Sequence, residues 1–552
     1  MRSLFLWFLA LPMMVSAQHA PFVLHNATIY TVVEQQPVVE ALAVDNGRVV
    51  AVGSERGVLS EYPDWNRIDA AGQAVFPGFI DAHAHLMGMG LARLRIDLVG
   101  TSSVEDIVER LVEFEKTLPE GAWLTGRGWD QNDWGQGGAF PTRHDLDEVF
   151  PERPVWLTRV DGHAGWANSA AMRAAGINPE AFAPEAPEGG SIHVDATRRP
   201  TGVFVDAAED LIDRAVPPNS DAILESALIR ALEETARFGL TGVHEAGINA
   251  DTLALYRRFI QEDRFTIRNY AMVDGIGNLF DSICSNGPIE GEGNRLWVRS
   301  LKLYADGALG SRGAALLEDY EDDPGNLGLF QYPPSALEEM STEAMRCGLQ
   351  VNIHAIGDAG ARAVLDAFEA AIDSTGGGPG RHRIEHAQVV SLDDVPRFAE
   401  MGVLASVQPT HATSDMPWAE DRIGSERIKG AYAWRAFLDA GLPLPLGSDF
   451  PVESVNPLLG FYAAITRQDL DGNPLHGWYP EHRLTREEAL RGFTLDAAYA
   501  GFMEDEVGSL EVGKWADFVI FSRDIMVVPA RAILDTHVVS TYLGGELIYS
   551  KE

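Results

Sequence analysis

Two histidines at the end of one apolar segment are the first residues that could do chemistry. Residues 75–86 have the composition of a buried strand that ends in His83-Ala84-His85. Successive side chains on a strand point to opposite faces, so His83 and His85 share a face. Two imidazoles on one face, at the carboxyl end of a barrel strand, can hold one metal ion. Alone the pair is a weak signal, because two ordinary loop histidines would have the same spacing.

Four more residues with metal-binding or bridging side chains lie at or near the ends of later apolar segments. They are Lys302, His354, His386 and Asp449. One histidine in a strand is usually structural, but four histidines and an aspartate at successive strand ends are hard to explain in that way. Since a parallel barrel presents its strand ends to one cavity, the set predicts a metal-dependent active site.

The elements that must position these residues alternate between strand and helix. The first candidate strand ends at His85, and the other seven are 240–244, 267–273, 298–304, 349–354, 382–386, 403–407 and 442–449. Helical periodicity between them, as at 222–238 and 359–372, indicates an α/β fold with a parallel sheet or barrel.

Two further regions lie outside this alternation. The first two strands are too far apart for a barrel connection, which predicts an inserted subdomain at about residues 100–220. Both chain ends, 18–75 and 505–552, are rich in short strands, and Asn46-Gly47 between two apolar runs is a strong hairpin signal. We therefore expect a barrel domain over 76–504 and one small sheet domain built from both ends.

The first 17 residues have the pattern of a secretory signal peptide. A positive Arg2 precedes an apolar run from Leu4 to Val15, and small residues lead to a cleavage site after about Ala17. The run is too short to span a bilayer comfortably. We expect an exported protein, periplasmic or secreted, that has no membrane attachment once the signal is removed.

Net charge limits the kinds of binding partner, and cysteine content limits the kinds of metal site. The formal net charge of −38 repels nucleic acid and anionic membranes, which leaves a small-molecule substrate as the expected partner, with homo-oligomerisation left open. Cys284 and Cys347 could form one disulfide in an oxidising compartment, although the sequence does not show whether they meet. Two distant thiols exclude a cysteine-based metal site.

The motifs together resemble the metal-dependent amidohydrolase superfamily. The resemblance is greatest to the amidohydrolase-3 branch, which includes YtcJ-like proteins and N-substituted formamide deformylases. The matching segments follow the family's order over nearly the whole mature chain: PGFIDAHAH (77–85), KLYADGALGSR (302–312), NIHAIGD (352–358), RIEH (383–386), GSD (447–449) and GKWAD (513–517).

This resemblance implies a distorted (β/α)8 TIM barrel with a small β-sandwich domain formed by both chain ends. It also implies a pair of divalent metals, with zinc expected first, although the ligand types would also accept iron, manganese or nickel. The implied roles are a first metal on His83 and His85, a second on His354 and His386, Asp449 as ligand of the first metal and proton carrier, and Lys302 as bridge.

The lysine requires a physical account, because an ammonium beside two dications would be strongly repelled. Either the neutral amine of Lys302 reacts with carbon dioxide to give an N6-carboxylated, anionic bridge, or it stays a plain lysine and the site holds one metal. The apolar neighbours Leu301 and Leu303 fit a buried position where a charged amine is costly. On the resemblance we favour the carboxylated form.

The predicted reaction is hydrolysis of a non-peptide C–N bond, such as that of an N-substituted amide, formamide or cyclic amide, by metal-activated water. Alternatives on the same site are an esterase or lactonase and a deacetylase of N-acyl or amino-sugar substrates. A periplasmic metal- or ligand-binding protein with an inactive barrel would require a broken ligand set, and none of the six positions is substituted. Candidate substrate or oxyanion contacts, each of which could equally be structural, are His163, His244, Arg312 and His411.

Overall fold

The computed structural model describes residues 20–119, 121–134 and 138–551. The signal peptide predicted at residues 1–17 lies outside the described residues. Within the described ranges, no helix is long and apolar enough to cross a membrane.

The described chain begins with short strands that form parts of two sheets. They are β1 (Phe22–His25), β2 (Thr28–Tyr30), β3 (Val38–Val39), β4 (Ala41–Asp45), β5 (Arg48–Gly53), β6 (Asn66–Asp69) and β7 (Ala74–Pro77), with helix α1 (Glu55–Glu61) before β6. β4 and β5 form the predicted hairpin. Its turn residues Asn46 and Gly47 have φ of 49° and 77°, as a two-residue turn of the primed type requires.

The first barrel strand, β8 (Phe79–Ala84), follows β7 after a single residue, Gly78. A Cβ at Gly78 would lie 2.1 Å from Oγ1 of Thr241, so only glycine lets the chain pass from the terminal sheet into the barrel here. The predicted single strand over 75–86 is therefore two strands in two different sheets. His85 lies just beyond β8, where the next helix begins.

An insertion separates β8 from the second barrel strand. Its elements, followed by the helix that leads back to the barrel, are α2 (Leu86–Ala92), β9 (Ile96–Asp97), α3 (Val104–Glu115), β10 (Leu124–Trp129), α4 (Arg143–Asp147), β11 (Val155–Arg159), β12 (Ala164–Ala167), α5 (Ser169–Ala174), β13 (Gly190–Val194), β14 (Pro200–Asp206), α6 (Asp210–Asp213) and α7 (Asp221–Arg237). The six strands form one sheet in the order β13-β14-β12-β11-β10-β9. Trp129 and Trp166 are fully buried in the core of this unit.

The rest of the barrel alternates strands and helices as predicted. Its elements are β15 (Leu240–Ile248), α8 (Ala250–Gln261), β16 (Arg268–Asp274), α9 (Asn278–Asn286), β17 (Ile289–Glu292), β18 (Leu296–Tyr304), α10 (Pro334–Arg346), β19 (Gln350–Ala355), α11 (Asp358–Thr375), β20 (Arg383–His386), α12 (Val395–Met401), β21 (Leu404–Ser406), α13 (Pro409–Asp415), α14 (Ala419–Arg427), α15 (Trp434–Asp439), α16 (Pro457–Thr466), α17 (Arg486–Gly492) and α18 (Leu495–Ala500). Seven parallel strands lie in the order β21-β20-β19-β18-β16-β15-β8, and β17 pairs antiparallel with β18.

Residues 442–449 occupy the eighth place in the barrel, but they do not form the regular strand that was predicted. One isolated parallel bridge joins this segment to the end of β21, and the N–H of Asp449 donates to the carbonyl of His83 at 2.8 Å. Pro443 and Pro445 have no N–H to donate, so the segment cannot carry a continuous ladder. It closes the gap between β21 and β8 with a few bonds only.

The chain ends in β22 (Phe518–Phe521), β23 (Val538–Leu543) and β24 (Glu546–Ser550). β22 pairs antiparallel with β7, so the six-stranded sheet β24-β23-β22-β7-β2-β3 contains strands from both ends of the chain. It shares a hydrophobic core with the four-stranded sheet β5-β4-β1-β6. The predicted fold class, a distorted barrel with a small sandwich from both chain ends, is confirmed.

The two cysteines meet on the outside of the barrel. Cys284 on α9 and Cys347 after α10 form a disulfide across 63 residues of chain. The alternative of two separate thiols, which the sequence left open, is excluded by this geometry.

Candidate metal centre

Three of the six predicted ligands converge at the carboxyl ends of the barrel strands. His83 lies on β8, His386 ends β20, and Asp449 follows the segment in the eighth place. Each offers a ligand atom, and these atoms lie within 4.8 Å of one another. All three residues are buried, and together they form a candidate His/His/Asp metal site.

The protonation state of the histidines leaves ring nitrogen lone pairs available to a cation. Nδ1 of His83 lies 2.5 Å from a carboxylate oxygen of Glu385, which can only accept, so Nδ1 carries the proton and Nε2 keeps its lone pair. Burial lowers the pKa of His83 to about 4. Nε2 of His83 is buried and has no hydrogen-bond partner within the described chain. His386 is held in the same way by the Gln408 carbonyl oxygen, 2.8 Å from its Nδ1.

The remaining two predicted histidines flank this group. Nε2 of His85 lies 3.2 Å from Oδ1 of Asp449, and His85 is the most exposed of the four, at 31% of its side chain. The ring of His354 lies 4.6 Å from that of His386, centroid to centroid. Burial and the neighbouring His386 hold the pKa of His354 well below its ordinary value. All four histidines therefore face one small region.

Asp449 and His386 both have left-handed backbone conformations, with φ of 62° and 72°. Such conformations are strained for residues with a Cβ and persist where the surrounding structure imposes them, often at functional sites. Burial alone would raise the pKa of Asp449, but the close contact with Nε2 of His85 and the proximity of His83 and His386 hold it well below its ordinary value. Asp449 is therefore a carboxylate, as a metal ligand must be.

Lys302 lies on β18 and is buried, with its Nζ 4.5 Å from the centre of the Tyr304 ring. Burial lowers the pKa of Lys302 to about 8, although the carboxylates of Glu385 and Asp449 act in the opposite direction. The neutral amine is thus more accessible than in an exposed lysine. This is the form that carboxylation by carbon dioxide requires.

A cavity of about 230 Å³ opens above these residues. His163 and His411 line it, together with His354, His386 and Asp449. Apolar side chains form another part of the wall, among them Val99, Val160 and Leu309. The cavity has room for a small molecule and not for a folded polymer.

The four predicted substrate contacts separate into two groups. His163, on the turn between β11 and β12, donates from Nδ1 to Asp206 at 2.6 Å, so its Nε2 is left for the cavity. Nε2 of His411 lies 3.8 Å from Oδ2 of Asp449 and has no hydrogen-bond partner in the part of the chain that is described.

The other two predicted contacts lie elsewhere. Arg312 lines a separate cavity and pairs with Asp322 at 2.9 Å. His244 is fully buried within the barrel, where its Nδ1 accepts from Arg383 at 2.8 Å. Neither residue lines the cavity above the candidate metal site.

Sequence reasoning missed two carboxylates that support site histidines. Asp206 on β14 holds His163, and Glu385 on β20 holds His83. For Glu385 a signal was present in Arg383-Ile384-Glu385: alternate residues share a face, so two opposite charges point to the same side of a buried strand. Asp206 gave no comparable signal, because it reaches the site from the insertion.

The model of the amidohydrolase family matches residues 67–549. The chain belongs to this family. Among curated amidohydrolase relatives, the putative amidohydrolase YtcJ of Bacillus subtilis is 34% identical over 96% of this chain and 99% of its own length. The N-substituted formamide deformylase of Arthrobacter pascens is 30% identical over 95% of this chain and 98% of its own.

A solved structure agrees with this membership. An uncharacterised metal-dependent hydrolase from Pyrococcus horikoshii superimposes with a TM-score of 0.75 at 29% identity, covering 93% of this amidohydrolase and 99% of that chain. The family match, the barrel fold and the candidate His/His/Asp site are therefore all consistent with the metal-dependent amidohydrolase superfamily.

Proposed function

We propose that this protein is a metal-dependent hydrolase of a non-peptide C–N bond in an N-substituted amide, formamide or cyclic amide. One observation carries the proposal: two neutral imidazoles and one carboxylate converge within 4.8 Å at the floor of a cavity. The relative named as an N-substituted formamide deformylase supports this choice of bond.

We propose that the site holds a pair of divalent metals, built around the candidate group of His83, His386 and Asp449. His83, His85 and Asp449 would hold one ion, His354 and His386 the other, and an N6-carboxylated Lys302 would bridge them. When bound, such metals polarise a carbonyl and lower the pKa of water toward neutrality. The buried Nε2 of His83, without a protein partner in the described chain, is the kind of atom that such a cation satisfies.

The chain's own residues supply proton transfer and orientation. The Asp449 carboxylate accepts the proton of the attacking water and returns it to the leaving nitrogen. His163 faces the cavity, and its Nδ1 donates a hydrogen bond to Asp206. Burial alone would lower the pKa of His163, but the hydrogen bond and charge of Asp206 raise it. The protonated ring can then donate a hydrogen bond to the substrate carbonyl oxygen.

We also propose that the protein is exported and cleaved near Ala17. The disulfide between Cys284 and Cys347 supports a location outside the cytoplasm, because such bonds persist in oxidising compartments. Amino-terminal sequencing of the protein recovered outside the cytoplasm would test it. A mature chain that still begins at Met1 would contradict it.

The activity is tested with protein stripped by a chelator and reloaded with zinc, iron, manganese or nickel. The substrates are N-substituted formamides, cyclic amides, N-acyl amino acids, dipeptides and lactones, and the measurement is release of the amine or acid. We expect amine release from a formamide or cyclic amide only after reloading. His83→Asn should abolish it, while the exposed His144→Asn serves as the matched control.

Other outcomes would replace the proposal. Hydrolysis of lactones alone would make the protein a lactonase, and cleavage of N-acyl amino acids alone would make it a deacylase. Full metal loading without turnover of any substrate class would favour a binding protein.

A further inference from the structure

A network of buried polar side chains lies beneath the candidate metal centre. It consists of Glu385 and Arg383 on β20, His244 on β15 and Ser406 on β21, and we call it the basal network. All four residues are buried within the barrel. The proposed reaction uses none of them.

Arg383 lies at the centre of the basal network, and Glu385 links it to His83. Nη1 of Arg383 donates to Nδ1 of His244 at 2.8 Å, and Nη2 donates to Oγ of Ser406 at 3.0 Å. The same guanidinium faces Glu385, with Nη2 3.0 Å from Oε2 and Nε 2.7 Å from Oε1. Oε2 of Glu385 then accepts from Nδ1 of His83 at 2.5 Å.

Arg383 also fixes the strand that carries His83. Its Nη2 donates to the carbonyl of Ala82 at 2.5 Å, one residue before the histidine. The guanidinium therefore holds both the carboxylate that contacts the ring and the backbone beside it. Its remaining contacts, with His244 and Ser406, limit its own movement.

We infer that Glu385 is a positioning residue that sets the metal affinity of His83, and that Arg383 orients Glu385 for this task. The inference rests on the proposed metal centre. The carboxylate can only accept, so it requires the proton on Nδ1 of His83 and leaves the Nε2 lone pair for a cation.

Replacement of the carboxylate by an amide would remove this control. In Glu385→Gln the side chain has one oxygen for two donors, His83 and Arg383, and the guanidinium competes for it. An amide NH₂ that faces His83 favours a proton on Nε2 instead, which removes the lone pair that binds metal. Volume and burial stay the same, so a role in packing alone predicts no change in metal affinity.

The test measures Zn²⁺ affinity by competition with a chelator, on the full mature chain. We expect Glu385→Gln to bind Zn²⁺ about 10- to 100-fold more weakly than the wild type. A second readout is the visible absorption spectrum of the Co²⁺-loaded proteins, which reports ligand geometry and should change in the variant. An altered fold stability alone would move neither readout.

Asp517→Asn is the matched control. Asp517 is another buried carboxylate paired with a barrel arginine, Arg268, at 2.6 Å, and it lies outside the cavity. Its loss should lower the urea midpoint of unfolding but leave Zn²⁺ affinity unchanged. Glu385→Asp is the second variant, in case Glu385→Gln does not fold, and its shorter side chain should give intermediate affinity.

The outcomes separate the inference from the proposed function. Wild-type Zn²⁺ affinity and an unchanged Co²⁺ spectrum in Glu385→Gln would overturn the inference and leave the metal centre intact. Wild-type affinity in Glu385→Asp would do the same if the glutamine variant does not fold. A wild-type chain that binds no metal would instead overturn the proposed function, and the inference with it.

Discussion

Asp449 has the two properties that make a single substitution informative. It lies beside His83 and His85, and its φ is 62°. Asparagine tolerates the left-handed conformation as well as aspartate does, so Asp449→Asn should fold normally. The variant lacks the carboxylate that we propose to transfer the proton, and we expect kcat to fall by about 10²- to 10⁴-fold.

The measurement for Asp449→Asn is kcat on the substrate identified by the panel, with thermal unfolding of both proteins as the control for folding. A variant with wild-type kcat would show that proton transfer does not pass through Asp449. The roles of the ligands would then have to be reassigned.

At the residue scale, the convergence of candidate ligands is easier to predict than the residues that support them. The sequence could predict that His83, His354 and His386 lie close together, because strand ends in a parallel barrel share one cavity. Glu385 could not, since the sequence shows which face it occupies but not that His83, some 300 residues away, is its partner. The sequence also left open whether His244 contacts substrate or is structural, because a histidine on a barrel strand can face the cavity or the packed interior below it. In the structure it lies in the interior, against Arg383.

At the scale of elements, helix α2 begins directly after His85 and is capped by a carboxyl group from another strand. Glu245 on β15 accepts from the N–H groups of Leu86 at 2.8 Å and Met87 at 3.3 Å. Burial raises the pKa of Glu245 to about 8 from an ordinary value of 4.5. Between about pH 4.5 and pH 8, Glu245 is therefore protonated in the folded state and ionised in the unfolded state.

Because the folded state binds more protons in this window, the free energy of unfolding contributed by Glu245 falls as pH rises from about 4.5 to 8. Glu245→Gln should remove that part of the pH dependence. Urea midpoints of both proteins at pH 5 and pH 8 check it, and the variant should gain stability relative to the wild type at the higher pH. Parallel pH profiles for the two proteins would contradict the assignment.

The disulfide joins two helices that the sequence does not place together. It closes a loop of 63 residues between α9 and α10, so in the chain-entropy model its removal costs about 4 kcal/mol. Cys284→Ser/Cys347→Ser should therefore unfold at lower urea than the oxidised wild type. The reduced wild type is the matched control and should behave like the variant; equal midpoints for all three proteins would contradict a stabilising bond.

Elements with strong local signals were predicted best. The Asn46-Gly47 hairpin and the helices α7 and α11 depend on turn chemistry and apolar periodicity, which are written in short stretches of sequence. The eighth barrel segment was predicted as a regular strand because its apolar residues fit one. Its two prolines remove ladder donors. Contacts with the neighbouring strands and with Gly492 and Asp496 on the following helices keep the segment in place.

At the scale of the whole molecule, the candidate active site is shared between two units of the fold. The barrel supplies the predicted ligands, and the insertion supplies His163 with its partner Asp206. The sequence predicted an insertion from the length of the gap, but not that it would bring a histidine to within 4.9 Å of the His354 ring, measured between centroids. Substrate selection is therefore expected to depend on the insertion as well as on the barrel.

We propose that these strand ends form a metal centre bridged by a modified lysine. The most direct test is metal content per chain of the purified mature protein, with intact mass measured in the presence and absence of bicarbonate. A bridged two-metal centre predicts two divalent ions per chain and the added mass of one carbon dioxide, which should be absent in Lys302→Met. A chain that retains no divalent metal under any loading condition would contradict it.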